Sequence, residues 1–184
     1  MRSIFLLLCS IVALIAPLSS VAQNVTEIEN RVKQHISLIY DEGKTEIQIP
    51  FYTYHFPFAY DRDVYDQLNR WPLGFGIGKG LDEPNGKWSG FYFLTFSDSH
   101  HDQEPGLIYS QTWPLIGDKH QNISAGYVAF ITARSDIRSY LPFPGILPAM
   151  SASLSESFKI TFSYVPSFTH GTGNVTLFTA TYRY

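Results

Sequence analysis

The chain has 184 residues, 13 basic and 16 acidic side chains and a formal charge of −3; 45% of it is hydrophobic and 16% aromatic. That length accommodates one domain, with or without a targeting segment. The acidic balance excludes a polybasic nucleic-acid binder, the aromatic content excludes a disordered chain, and the single cysteine excludes a disulfide framework or a cysteine-built zinc cluster.

Met1-Arg2-Ser3 supplies a short positive start, the run from Ile4 to Leu18 is apolar, and Ser20-Val21-Ala22 places small residues where a signal peptidase reads. The run contains Pro17 and is shorter than the ~20 residues a membrane-spanning helix needs. Residues 1–22 are therefore expected to be a secretory signal cleaved after Ala22, taking Cys9 with it. The mature chain, 23–184, is then mildly acidic and free of cysteine. Asn-x-Ser/Thr sequons at Asn24, Asn122 and Asn174 are read as chance occurrences.

Val25, Ile28, Val32, Ile36 and Ile39 follow at helical spacing and form one apolar stripe, with Asp41-Glu42-Gly43 as the stop signal. The pattern predicts an amphipathic helix over about 24–40. Its stripe suits a soluble core and a membrane interface equally well.

From Thr45 the period changes to two, and turn residues recur every ten to fifteen positions. Strands are predicted near 45–58, 71–80, 87–97, 106–115, 122–133, 145–154, 157–166 and 174–184. Phe158, Ile160, Phe162 and Tyr164 alternate with Ser157, Lys159, Thr161 and Ser163, and the last strand ends on the aromatic Tyr184. A terminal aromatic on an alternating strand suits the aromatic girdle of a membrane barrel. Eight antiparallel strands also make a soluble lipocalin, so the count alone leaves both open. Strand 87–97 is apolar on both faces, Tyr92, Leu94 and Phe96 against Phe91 and Phe93, and 122–133 repeats the pattern. Lipid outside and a hydrocarbon chain inside would require this, as would an interior packed by its own side chains.

Pro50, Pro72, Pro148 and Pro166 fall within or beside strand-like runs. Proline cannot donate to a ladder, so these positions mark either strand ends or weakened seams. His55 lies in an aromatic strand, and Ser97-Asp98-Ser99-His100-His101 closes another. Such side chains suit general-base or nucleophilic acyl transfer. Asp98 and Ser99 can face one site only where the strand has already broken into a loop. The adjacent pair His100-His101 lacks the spacing of metal ligands, and no metal is expected.

Together these residues resemble the lipid A palmitoyltransferases of the bacterial outer membrane, the PagP family, over nearly the whole mature chain. The resemblance is carried by Ile49-Pro50 with His55, Phe58-Ala59-Tyr60-Asp61, Gly74-Phe75-Gly76, Asp82-Glu83 with Gly86 and Trp88, and Phe96-x-Asp98-Ser99. It continues through Glu104-Pro105, Thr112-Trp113, Thr132-Ala133-Arg134, Leu147-Pro148, Tyr164-x-Pro166 and Gly173-Asn174-Val175.

The resemblance implies an all-β fold: an eight-stranded antiparallel transmembrane β-barrel with an N-terminal amphipathic helix at the periplasmic interface, located in the outer membrane. It implies transfer of a palmitoyl chain from the sn-1 position of a glycerophospholipid donor to a hydroxyl of the lipid A acceptor, without a cofactor. The family's essential polar residues correspond to His55, Asp98 and Ser99, with His55 as base and Asp98 orienting or charge-stabilising the imidazole. Pro50 with Pro72, and Pro148 with Pro166, correspond to lateral lipid-access sites. The family's glycine at the acyl-pocket floor corresponds to Ser110, whose extra bulk implies a preferred chain shorter than palmitate. A closed barrel without free edges gives no reason to expect more than a monomer. The competing readings are a non-enzymatic barrel for adhesion or membrane integrity, and a soluble lipocalin-like carrier.

Overall fold

The computed structural model describes residues 25–167 and 173–184. The expected signal segment, Asn24 and the His170 to Thr172 part of one predicted turn lie outside them. Helix α1 (Val25–Glu42) is followed by strands β1 (Lys44–His55), β2 (Gly74–Asp82), β3 (Trp88–Ser97), β4 (Gln103–Gly117), β5 (Asn122–Thr132), β6 (Phe143–Ser153), β7 (Phe158–Val165) and β8 (Val175–Arg183). Each strand pairs antiparallel with its sequence neighbours, and β8 pairs with β1, so the sheet closes into a barrel. Closure satisfies the backbone along the seams and removes the exposed edges.

The two-residue period sorts side chains into a wall and a lumen. Exposed Phe75, Ile77, Phe93, Ile146 and Met150 alternate with less exposed neighbours and form an apolar outer belt. Tyr54, Phe58, Trp71 and Tyr164 lie exposed toward one end, and Tyr40, Phe158, Tyr182 and Tyr184 toward the other. Two aromatic bands flanking an apolar belt match the two interfaces of a bilayer. The turns at 83–87, 118–121 and 154–157 lie at the end that also carries α1. The long connection 56–73 lies at the opposite end. Membrane barrels keep their short turns on the periplasmic side.

The lumen departs from the apolar interior that 87–97 and 122–133 suggested. Tyr92, Leu94 and Val128 bear out that reading on β3 and β5. The facing wall buries Gln48, Thr53, Lys159, Thr161, Ser163, Thr179 and Thr181 instead. On β7 and β8 the aromatic face turns outward and the polar face turns inward. At the periplasmic end Glu46 accepts from Tyr92 Oη and from Arg183, whose guanidinium also reaches Asp82 at 2.6 Å. Lys159 Nζ sits 2.7 Å from the centroid of the Trp88 ring. These charges border a polar cavity of about 700 Å³ that opens at this end.

β2 makes room for this filling. Its inner face is Gly76, Gly78 and Gly80, and a Cβ on Gly80 would stand 2.3 Å from Glu46 Oε1. Helix α1 lies outside, against β2 and β3, with Ile39 buried to 1% exposure. Its stripe thus packs on the barrel wall, neither in a soluble core nor wholly on lipid. Beneath it Ser89 donates to Glu83 at 2.7 Å and Gln111 donates to Ser89 at 3.1 Å.

Candidate active site

The site forms at the end opposite the short turns. β1 ends on His55, and β3 ends at Ser97, so Asp98 and Ser99 already belong to the loop 98–102. That break frees them from strand alternation. His55 Nε2 lies 2.9 Å from Ser99 Oγ across 44 positions of sequence. The imidazole is 2% exposed, and the ring of Tyr60 meets it edge-on at 5.8 Å. Tyr60 Oη in turn donates to the Gly173 carbonyl.

The Asp98 carboxylate bonds within its own loop and to Arg134 rather than to His55. Its Oδ1 accepts from the backbone N–H groups of His100 at 2.8 Å and Asp102 at 2.9 Å, and its Oδ2 lies 3.3 Å from Arg134 Nη2. Among the described residues His55 Nδ1 is buried without a hydrogen-bond partner. The physical reason lies in the turn. Asp98 N–H donates to Asp102 C=O, His101 N–H donates to Asp98 C=O, and His101 adopts a left-handed φ of 69°. Closing so short a turn directs the Asp98 carboxylate into its own backbone.

Arg134, in the connection after β5, gathers the nearby acids. It binds Asp136 through two 2.9 Å bonds and reaches Glu104 at 3.6 Å. The Arg134 bond holds the Asp136 carboxyl below its ordinary value. Possible ligand atoms of Asp98, His100 and Asp136 lie within 4.8 Å of one another. The Arg134 guanidinium already supplies a cation to both carboxylates.

Ser110 faces the lumen between Gly90 and Val128, its neighbours on β3 and β4's other partner β5, and is 4% exposed. The prolines mark two short seams. β1 and β2 pair only from Lys44↔Gly80 to Gln48↔Gly76, and β6 and β7 only from Ala149↔Ser163 to Ser153↔Lys159. Pro50 lies just above the first seam at a register shift, Pro72 precedes β2, Pro148 borders the end of the second seam, and Pro166 follows β7. Every other seam is longer: β3 and β4, for example, pair from Trp88↔Thr112 to Ser97↔Gln103.

The family profile described as "Antimicrobial peptide resistance and lipid A acylation protein PagP" matches residues 35–181. The chain belongs to the PagP family. Relatives named lipid A acyltransferase PagP include one from Methylobacillus flagellatus, 35% identical over 145 residues, covering 79% of this chain and 78% of the relative. One from Bordetella pertussis is 35% identical over 144 residues, covering 77% of each chain. Another, from Cronobacter turicensis, is 34% identical over 160 residues, covering 85% of this chain and 76% of the relative. PagP-family membership and the closed, aromatic-banded barrel together make this an outer-membrane barrel.

Two further residues at this PagP-family site escaped the reading of residues by type. Arg134 was visible only as part of the Thr132-Ala133-Arg134 motif, with no role attached. Asn69 gave no signal, because it closes a segment of mixed composition, Asp61 to Leu68, in which polar Asp66 and Gln67 look no different from it. Its burial to 7% exposure appears only in three dimensions.

Proposed function

We propose that this protein is an outer-membrane acyltransferase that moves a palmitoyl or similar long acyl chain from the sn-1 position of a glycerophospholipid to a hydroxyl of lipid A. The observation that carries the reading is the 2.9 Å contact between His55 Nε2 and Ser99 Oγ at the rim of the lumen. A base within hydrogen-bond reach of a hydroxyl is the arrangement that acyl transfer needs.

His55 Nε2 accepts the proton of the attacking hydroxyl as that oxygen bonds to the ester carbonyl carbon. The sn-1 ester bond then breaks, and the proton passes to the departing glycerol oxygen, leaving a lysophospholipid. Ser99 either carries the acyl group between two such steps or aligns the acceptor hydroxyl. Asp98 contributes by shaping the loop that presents Ser99. The apolar side of the lumen, Leu94 and Val128, holds the acyl chain and keeps water from the ester. Ser110 stands at the floor of that chain. The short seams beside Pro50 and Pro72, and beside Pro148 and Pro166, serve as lateral passages for lipid.

No cofactor enters this scheme. The added acyl group would stiffen the outer leaflet, consistent with the resistance to antimicrobial peptides in the family's description.

The test is mass spectrometry of lipid A from cells with and without the gene, alongside His55→Asn and Ser99→Ala variants. The expected result is one added long acyl group with the wild type only. Unchanged lipid A from cells holding the folded barrel would support the inert-barrel reading.

A further inference from the structure

Above Gln48↔Gly76 the β1–β2 seam has lost its ladder, yet it is not free up to the rim. Thr53 N–H donates to the Arg70 carbonyl at 2.9 Å, and Thr53 Oγ1 donates to the Asn69 carbonyl at 2.8 Å. The end of connection 56–73 therefore lies against upper β1, where a longer β2 would otherwise run. On its other side, Asn69 N–H donates to the Ser99 carbonyl at 3.0 Å. Its side chain completes the bridge. Asn69 Nδ2 donates to the Asp98 carbonyl at 3.0 Å and to Ser97 Oγ at 3.1 Å, while Oδ1 accepts from Trp71 N–H at 3.0 Å. Because a backbone carbonyl and a backbone N–H fix the two ends of the amide, its orientation is unambiguous.

Asn69 is thus the joint between the strand that carries His55 and the loop that carries Ser99. His55 lies two residues beyond Thr53, and Ser99 is bonded directly to Asn69. We propose that Asn69 is a positioning residue for acyl transfer, setting the His55–Ser99 separation and capping the seam beside Pro50 and Pro72. The inference rests on the acyltransfer reading of the His55–Ser99 pair. Only an amide offers donors to Ser97 and Asp98 together with an acceptor for Trp71. Asn69→Asp keeps the shape and the acceptor but removes both donors, and Asn69→Ala removes all three bonds.

The experiment uses the full-length barrel reconstituted with dipalmitoyl phosphatidylcholine as donor and lipid A as acceptor. It measures kcat and KM per folded molecule, with the folded fraction read from heat-modifiable gel mobility. For Asn69→Ala and Asn69→Asp the expected result is a fall in kcat of about ten- to a hundredfold, as for a misplacement on the order of 1 Å. Donor KM should stay within about twofold, and the exposed loop variant Gln67→Ala should behave as wild type. If either variant fails to fold, the other decides. Wild-type kcat per folded molecule, or a loss confined to the folded fraction or to KM, would overturn the role of Asn69. Full activity in a parallel His55→Asn variant would instead overturn the site reading on which it rests.

Discussion

Arg134 Nη2 lies 3.3 Å from Asp98 Oδ2, and this guanidinium is the only side-chain cation paired with that buried carboxylate among the described residues. Asp98 therefore holds loop 98–102 together through the N–H groups of His100 and Asp102, and Arg134 keeps its charge tolerable away from water. Replacing Arg134 with Met leaves a buried charge uncompensated. The expected outcome is at least a tenfold loss of turnover, with faster amide exchange at His100 and Asp102. Arg134→Lys should recover only part of it, because an ammonium cannot reproduce the two parallel bonds to Asp136. Turnover assays with hydrogen exchange measure both effects.

Glu46 is 1% exposed and accepts from both Tyr92 and Arg183 inside the periplasmic end. Glu46→Ala leaves Arg183 paired with the half-exposed Asp82 alone and strands the buried Tyr92 hydroxyl, which costs about 1–3 kcal/mol. Gly80→Val should act in the same direction by driving a Cβ into the Glu46 carboxylate. Lowered melting of the folded gel band, with turnover per folded molecule preserved, is the expected signature.

Helix α1 should loosen in acid. His35 packs edge-on to Tyr109 and lies 3.8 Å from Glu83, and burial lowers its pKa from the usual 6.5. The docked helix consequently binds fewer protons than the undocked one, so docking is complete above pH ~6.5 and weakens as pH falls toward the lowered value. Limited proteolysis of α1 across this range should show the onset, and His35→Gln should remove its upper part.

Ser110 faces the lumen beside Gly90 and Val128, and under the proposed function its hydroxymethyl group would set the depth available to a chain end. Ser110→Gly should lengthen the preferred acyl chain by about one methylene. Comparing donors of fourteen to eighteen carbons measures it, and an unchanged optimum would refute the assignment.

Much of this architecture was legible in the chain. Period-two alternation located all eight strands, and the bounds of β3 and β5 moved by only a residue. The 3–4 spacing of Ile28, Val32, Ile36 and Ile39 located α1, because an apolar stripe depends only on local geometry. Prolines marked where ladders stop, since a missing N–H is a property of the residue itself. Alternation says which residues share a face, but not which face is the lumen; on β7 the hydroxyls and Lys159 turned inward.

The sequence by itself thus determined the strand number, the helix, the proline-marked ladder ends and the candidates His55, Asp98 and Ser99, because each follows from local stereochemistry or motif. Only the tertiary structure decided that His55 meets Ser99, that Asp98 turns to Arg134, and that Asn69 joins the two sides of the site. Those contacts depend on the register of a closed barrel, where position across the lumen accumulates from every strand pairing around the circumference. No local pattern carries that sum.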